Sequence, residues 1–395
     1  MNCTNWRFVS FLSLLLCLAL PPLVWGQTSP AKPEAKPKPA PDVLVLNDGE
    51  TLMGHFVSSS GGSLTFHSDM LGDVKADWAK VKELKAAGRY AVVGKNLRIN
   101  RRTDEKGIPE GAIAEADQKL TVTPAAPAQP ATVAVADAAH VVDAAELSNA
   151  INREPGFLHA WKGAVTAGAA LVEATQQSRT LTGSFHLVRA IPVENWIDAR
   201  NRTVVNFNAA DGLVSQPGTP NIKTNIIHFD AERDEYFSAS RAYLFGQAAF
   251  DHNYSQGLNF GATYGAGAGE TLIKKSDETL DVKVSASYVR QDFLALNAAT
   301  PPSPNQSLLG TVIAENYTKK FGKNKGITFL QQFSATPTWN NLNATMSSGG
   351  ASLTIPVYKR LGFTTGATDS YLHNPAAGFH KNSFQFTTGL TYAVQ

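Results

Sequence analysis

From Phe384 to Val394, apolar or aromatic side chains recur at every second position: Phe384, Phe386, Leu390, Tyr392 and Val394, with Thr388 continuing the row. The intervening Gln385, Thr387, Gly389, Thr391 and Ala393 are polar or small. Successive side chains of a strand point to opposite faces, so this segment reads as a strand with one apolar and one wet side. The same period runs through Leu181, Gly183, Phe185 and Leu187 against Thr182, Ser184 and His186. It returns in Leu280, Val282, Val284, Ala286 and Tyr288 against Asp281, Lys283, Ser285 and Ser287. The pattern predicts twelve strands: 161–173, 178–189, 198–208, 222–232, 236–250, 257–274, 278–293, 307–321, 326–339, 342–356, 359–372 and 381–394.

Many of these strands exceed ten residues, whereas globular strands usually have five or six. A tilted strand needs about nine to eleven residues to cross a bilayer. Lipid offers no partner to a free backbone group, so a sheet in a membrane must close on itself. The prediction is therefore an all-β chain whose 157–395 region forms an antiparallel transmembrane-type β-barrel of about twelve strands. Connections after even strands are short (233–235, 275–277, 322–325, 357–358), with 190–197 the longest; those after odd strands include 209–221, 294–306 and 373–380, and 340–341 departs from the trend. Outer-membrane barrels keep their short turns on the periplasmic side, which places both ends of the barrel region there.

Upstream the texture differs. Residues 42–123 alternate short apolar runs with turn signals such as Asn47-Asp48-Gly49, predicting a small SH3-like β-domain of about five strands. Pro/Ala/Lys-rich residues 27–41 and the Ala/Pro-rich stretch 124–139 read as spacers unable to bury a core. A short amphipathic helix is predicted within His140–Arg153, inside a 124–156 linker segment. Residues 1–26, with Arg7 before the apolar run Phe8–Leu20 and then Pro21-Pro22, have the layout of a secretory signal peptide. Cys3 and Cys17 both fall in it, so the chain beyond carries no thiol for a disulfide, a nucleophile or a thiolate metal site.

Charged residues make up 17% of the chain and the formal net charge is +2, which argues against nucleic acid as a partner. No cofactor or metal site is expected: the nine histidines show no ligand spacing. Gly265–Glu270, GAGAGE, invites a phosphate-binding reading, but strand signals rather than a helix follow it; glycines that relieve crowding in a barrel strand are expected instead. The carboxylates of Asp230–Glu235 are expected at a solvated turn, with Arg233 as internal partner. His186 and His228 are placed facing the lumen, and His373 and His380 in a loop. Arg241, Lys283, Arg290 and Glu315 are candidates to line or plug a pore. Trp161, Trp196, Trp339, Tyr243, Tyr317 and Tyr371 are candidates for an interfacial aromatic girdle.

Two stretches, 228–293 and the small domain, resemble the salt-induced outer-membrane protein family, classed as domain of unknown function 481. The matching positions are Arg233, Tyr236, Phe237, Asp251, Gly265, Gly267, Tyr288 and Arg290. The resemblance implies an outer-membrane barrel and supplies no catalytic residues. Thr388, Gly389, Tyr392 and Val394 also resemble the sorting signal read by the barrel-assembly machinery, although Gln395 follows where that signal usually has an aromatic residue.

The expected protein is a non-enzymatic outer-membrane β-barrel, either a structural envelope protein or a narrow channel, with residues 42–123 in the periplasm. Its expected partners are outer-membrane lipid, the barrel-assembly machinery and a periplasmic protein bound through 42–123. Two alternatives stand beside it: a lipid hydrolase on a barrel scaffold, and a secreted soluble β-protein that binds a carbohydrate or a protein partner.

Overall fold

The computed structural model describes residues 41–101, 106–173, 177–194, 196–215, 221–237, 240–295, 304–322 and 326–394, and the backbone alone at 170–173 and 177. The segments read as a signal peptide and its following spacer therefore lie outside the described residues, apart from Pro41.

The small domain is a nine-stranded sheet, where the sequence predicts about five strands. It comprises β1 (Asp42–Leu46), β2 (Thr51–Ser60), β3 (Ser63–Ser68), β4 (Gly72–Asp77), β5 (Val81–Gly94), β6 (Glu110–Ala116), β7 (Lys119–Thr123), β8 (Ala131–Ala134) and β9 (Ala138–Asp143). β8 and part of β9 come from the stretch read as a spacer. The reason is that its few valines fall at core positions: Val135 is buried beside Val141, and Val133 packs against the same core. The helix α1 (Ala144–Asn152) is shorter than expected because Val141 and Val142 belong to β9. Asp143 caps it, accepting from the amides of Ala145 and Glu146 at 2.8 and 3.0 Å, and Leu147 and Ile151 are buried.

Twelve further antiparallel strands close into a barrel. They are β10 (Trp161–Glu173), β11 (Gln177–Ile191), β12 (Asn201–Ser215), β13 (Ile222–Tyr236), β14 (Ala242–Asn253) and β15 (Leu258–Lys274). The circuit continues through β16 (Glu278–Phe293), β17 (Gln306–Phe321), β18 (Ile327–Thr336), β19 (Met346–Tyr358), β20 (Leu361–Leu372) and β21 (Asn382–Val394). The first and last of these are neighbours, Gly163 opposite Val394 and Ala167 opposite Leu390. The alternation seen in the sequence sorts the two faces. Leu181, Ile227, Leu244, Val284, Tyr288, Ile313, Phe363, Phe384, Phe386 and Leu390 are exposed on the outside. Asp281, Ser285, Ser287 and Gln291 on the other side of β16 are buried.

Most outward charges lie near strand ends, as Arg233 with Glu235 and Arg290 with Asp292 do. Glu315, further inside β17, meets the Gln331 amide on the same face.

The connection read as 340–341 spans 337–345, so it joins the longer links at the end remote from the small domain. At the near end the links are 237–241, 275–277, 322–326 and 359–360, with 192–200 longer.

The two parts are tied at the near end of the barrel. Ile197, in the link between β11 and β12, joins a core with Ile99, Val93, Leu147 and Ile151. Asn100 and Arg101 donate to the carbonyls of Phe237 and Tyr236. Arg200 donates to the Ile151 carbonyl and pairs with Glu154 at 2.7 Å.

Candidate functional site: the barrel lumen

The inward faces of β12, β13, β14 and β16 carry the charge. Arg202 lies opposite Asp234 in the β12–β13 register, and its Nε donates to Asp234 Oδ2 at 2.6 Å. Its Nη1 donates to Asp281 Oδ2 at 2.9 Å, and Thr271 donates to Asp281 Oδ1 at 2.6 Å. The guanidinium also stands 5.8 Å from the Tyr236 ring centre and 5.4 Å from that of Tyr243, within cation–π range. Lys283 pairs with Glu232 and lies 5.5 Å from the Phe245 ring centre.

A second group sits further along the same wall. His228 bridges Asp251 (Nδ1, 2.7 Å) and Asp230 (Nε2, 3.0 Å), and Asn206 donates to Asp230 at 2.8 Å. His186 contacts the same Asn206, so both histidines face the lumen as the alternation predicts.

Three sequence expectations change here. The carboxylates of Asp230–Glu235 are not at a turn, because β13 continues to Tyr236. Asp230, Glu232 and Asp234 point inward to lumenal partners, and only Glu235 pairs with Arg233 on the outside. The strand extends because these side chains gain buried cationic partners that a solvated turn would lack. Of the four pore candidates Lys283 alone reaches the lumen; Arg290 and Glu315 face outward and Arg241 lies in the near-end link, donating to the Leu272 carbonyl. Tyr243 is no girdle residue: it is fully buried inside the barrel. Trp196 packs against His140 of the small domain, ring centres 4.6 Å apart and planes tilted by 30°. Trp161, Trp339, Tyr317 and Tyr371 do lie at or near strand ends, on the rim.

The GAGAGE segment lies wholly within β15, so no helix N-terminus exists there to hold a phosphate. Gly265, Gly267 and Gly269 face the lumen. A Cβ on Gly269 would overlap the Tyr243 ring, and one on Gly267 would overlap the Val284 carbonyl and Ser285. The glycines make room for the aromatic and ionic cluster.

The opposite wall, β18–β21 and β10, is lined by small hydroxyls. Ser334 meets Ser348 at 2.8 Å. Thr354, Thr364, Thr391 and Thr166 form a chain of contacts at 2.7, 2.5 and 2.8 Å that crosses from β19 to β10. Among the described residues no group of three or more metal-binding side chains is assembled.

The assembly-signal residues divide between the faces. Thr388 and Tyr392 are exposed outside, while Gly389 is buried where a Cβ would press on the Ala167 carbonyl. Val394 pairs with Gly163 at the base of the seam.

A family model described as "Protein of unknown function, DUF481" matches residues 165–394. The chain belongs to that family. The DUF481 region thus covers nearly the whole barrel, and it leaves the small domain outside. No curated protein matches the chain. Among solved structures, the translocator domain of the autotransporter NalP from Neisseria meningitidis is similar at 11% identity, covering 60% of this chain and 90% of its own, with a TM-score of 0.32. The beta domain of the Bordetella autotransporter Brka is similar at 11% identity, over 59% of this chain and 97% of that one, with a TM-score of 0.28. An outer membrane channel from Pseudomonas putida F1 is similar at 11% identity, over 62% and 100%, with a TM-score of 0.34.

Proposed function

We propose that this DUF481 barrel resides in the bacterial outer membrane, with the small domain on the periplasmic side, and that its lumen is a narrow passage for small polar or cationic solutes. The apolar outer face and strands of 10 to 17 residues suit a bilayer. Four of the five connections at the end that holds the small domain have five residues or fewer, and the longest connection, 294–305, is at the other end, as expected if the near end is periplasmic.

The observation that carries the passage is the asymmetry of the lumen. Bulky charged and aromatic groups crowd one wall, and serines, threonines and glycines line the other. Five inward carboxylates, Asp230, Glu232, Asp234, Asp251 and Asp281, face the cations Arg202 and Lys283 together with His228. The balance favours cations over anions.

Conductance of the refolded protein in planar bilayers tests this. Small, cation-preferring conductance is expected, and Glu232→Gln should lower the preference. An absence of conductance together with stable insertion would make the barrel a sealed structural component of the envelope. Hydrolysis has less support. Among the described residues the hydrogen-bonded histidines are partnered by carboxylates, an amide, a backbone carbonyl and a phenol. None of those partners is a serine. The small domain would be free to engage a periplasmic protein.

A further inference from the structure

Solvent reaches only part of the lumen. The side chains of His228 and Asp251 keep 40% and 38% of their surface exposed. Asn253, two positions further along β14 and on the same face, is 6% exposed, and the side chains of Gln256 and Gln291 are buried with it. These residues lie toward the end of the barrel remote from the small domain.

The cover there is a contact between opposite walls. β14 and β20 are six strands apart in either direction round the closed barrel, and so are β15 and β21. Gln256, in the 254–257 link between β14 and β15, nonetheless reaches across. Its Nε2 donates to the carbonyls of Ser370 and Lys381 at 2.8 and 2.7 Å. Its Oε1 accepts from Asn253 Nδ2 at 3.0 Å and from the Ser370 hydroxyl at 3.4 Å. The 373–381 link meets it from the other side. Gly257 adopts a left-handed φ of 68°, and a Cβ there would overlap Ala376 and the Phe379 ring. Tyr254 meets Phe379 edge-on, ring centres 6.3 Å apart. Leu258, Phe293, Leu372 and Ala376 form a small buried core at the same place, with Met346 and Phe379 packed against it.

The contact also carries a cost. Among the described residues no group donates to Asn253 Oδ1 or Gln291 Oε1, although both atoms are buried. A buried acceptor without a donor is unfavourable. Gln291 Nε2 points at the Met346 sulfur at 2.8 Å, a weak acceptor. Parting the two walls would open both oxygens to water, which offsets part of the packing and hydrogen bonding lost. The barrel ladders need not break for this to happen, since the latch is one side chain in a link.

We propose that the 254–257 link is a gate over the far mouth, latched by Gln256 on the carbonyls of Ser370 and Lys381, and that the structure is its closed form. Lifted, it admits the small polar or cationic solutes to the lumen. This rests on the passage reading given above, and it sets the controlled barrier at the mouth and not at the Arg202 cluster.

Currents in planar bilayers bathed in potassium chloride, together with a distance measurement, test it. Gln256→Glu keeps the volume but turns an oxygen toward two carbonyls. It should raise the fraction of time spent open about tenfold, as expected for the loss of two net hydrogen bonds. Tyr254→Cys/Phe379→Cys, bridged by a bifunctional methanethiosulfonate, should hold the gate shut, and dithiothreitol should restore the openings. Spin labels on Ser255→Cys and His380→Cys should give one short distance when Gln256 is present and a longer, broader distribution with Gln256→Glu.

Unchanged label distances in Gln256→Glu overturn the gate. So does a wild-type current that neither Gln256→Glu raises nor the bridge lowers. The bridged pair keeps the native Gln256, so it decides the matter even where Gln256→Glu lacks heat-modifiable gel mobility. Labels that separate while no variant carries current would leave the gate standing and remove the passage reading instead.

Discussion

Arg202 and Asp234 face each other on adjacent strands inside the barrel, 2.6 Å apart, with Asp234 wholly removed from solvent. Asp281, from a third strand, holds the other arm of the same guanidinium at 2.9 Å. One cation therefore compensates two buried carboxylates and links strands β12, β13 and β16 through the lumen. Removing it leaves both acids unpaired, a loss of about 3–5 kcal/mol. Arg202→Met should lower the temperature at which the folded gel band disappears. Adding Asp234→Asn and Asp281→Asn should restore most of it, because the stranded charges are then gone.

The glycines of β15 are spacers for an aromatic ring. Gly269→Ala should cost about 1–3 kcal/mol through overpacking against Tyr243. Tyr243→Ala alone should also destabilise, by opening a cavity. Denaturant unfolding of the double variant should show less loss than the sum of the two, since the methyl fills part of the space the ring vacates.

The joint between domain and barrel should weaken in acid. Burial holds the His140 imidazole below its ordinary value of 6.5, and its ring packs against Trp196. A group depressed in this way takes up its proton more readily when undocked. Docking is therefore at full strength above about pH 6.5 and declines as the pH falls from there through the lowered value, by at most about 1.4 kcal/mol per pH unit. Limited proteolysis of the small domain between about pH 7.5 and 5 should quicken as the pH drops. His140→Phe should flatten that dependence.

Assembly should be sensitive to the end of β21. Tyr392→Ala removes an outward aromatic ring of the sequence that resembles the sorting signal, and should reduce the heat-modifiable protein recovered in outer-membrane fractions. Tyr392→Phe should not. Equal recovery of Ala and Phe variants would show that this position carries no sorting information.

The period of two did most of the work that a single sequence can do. In β16 it separated Val284 and Tyr288 from Ser285 and Ser287, and it placed all twelve barrel strands in order, because alternation is imposed locally by the pleat. It also put His186 and His228 on the inside. It failed where composition outweighed period. Val133 and Val135 lay in Ala/Pro-rich surroundings and read as spacer, yet with Val141 they complete the small sheet. It failed again at Asp230–Glu235, where a run of charges mimics a turn.

What the chain determined by itself is which side chains share a face, since that depends only on parity along each strand. Which charges meet was decided by the closed sheet. Arg202 lies 32 residues from Asp234 and 79 from Asp281, and only strand register and the curvature of the barrel bring all three to one point.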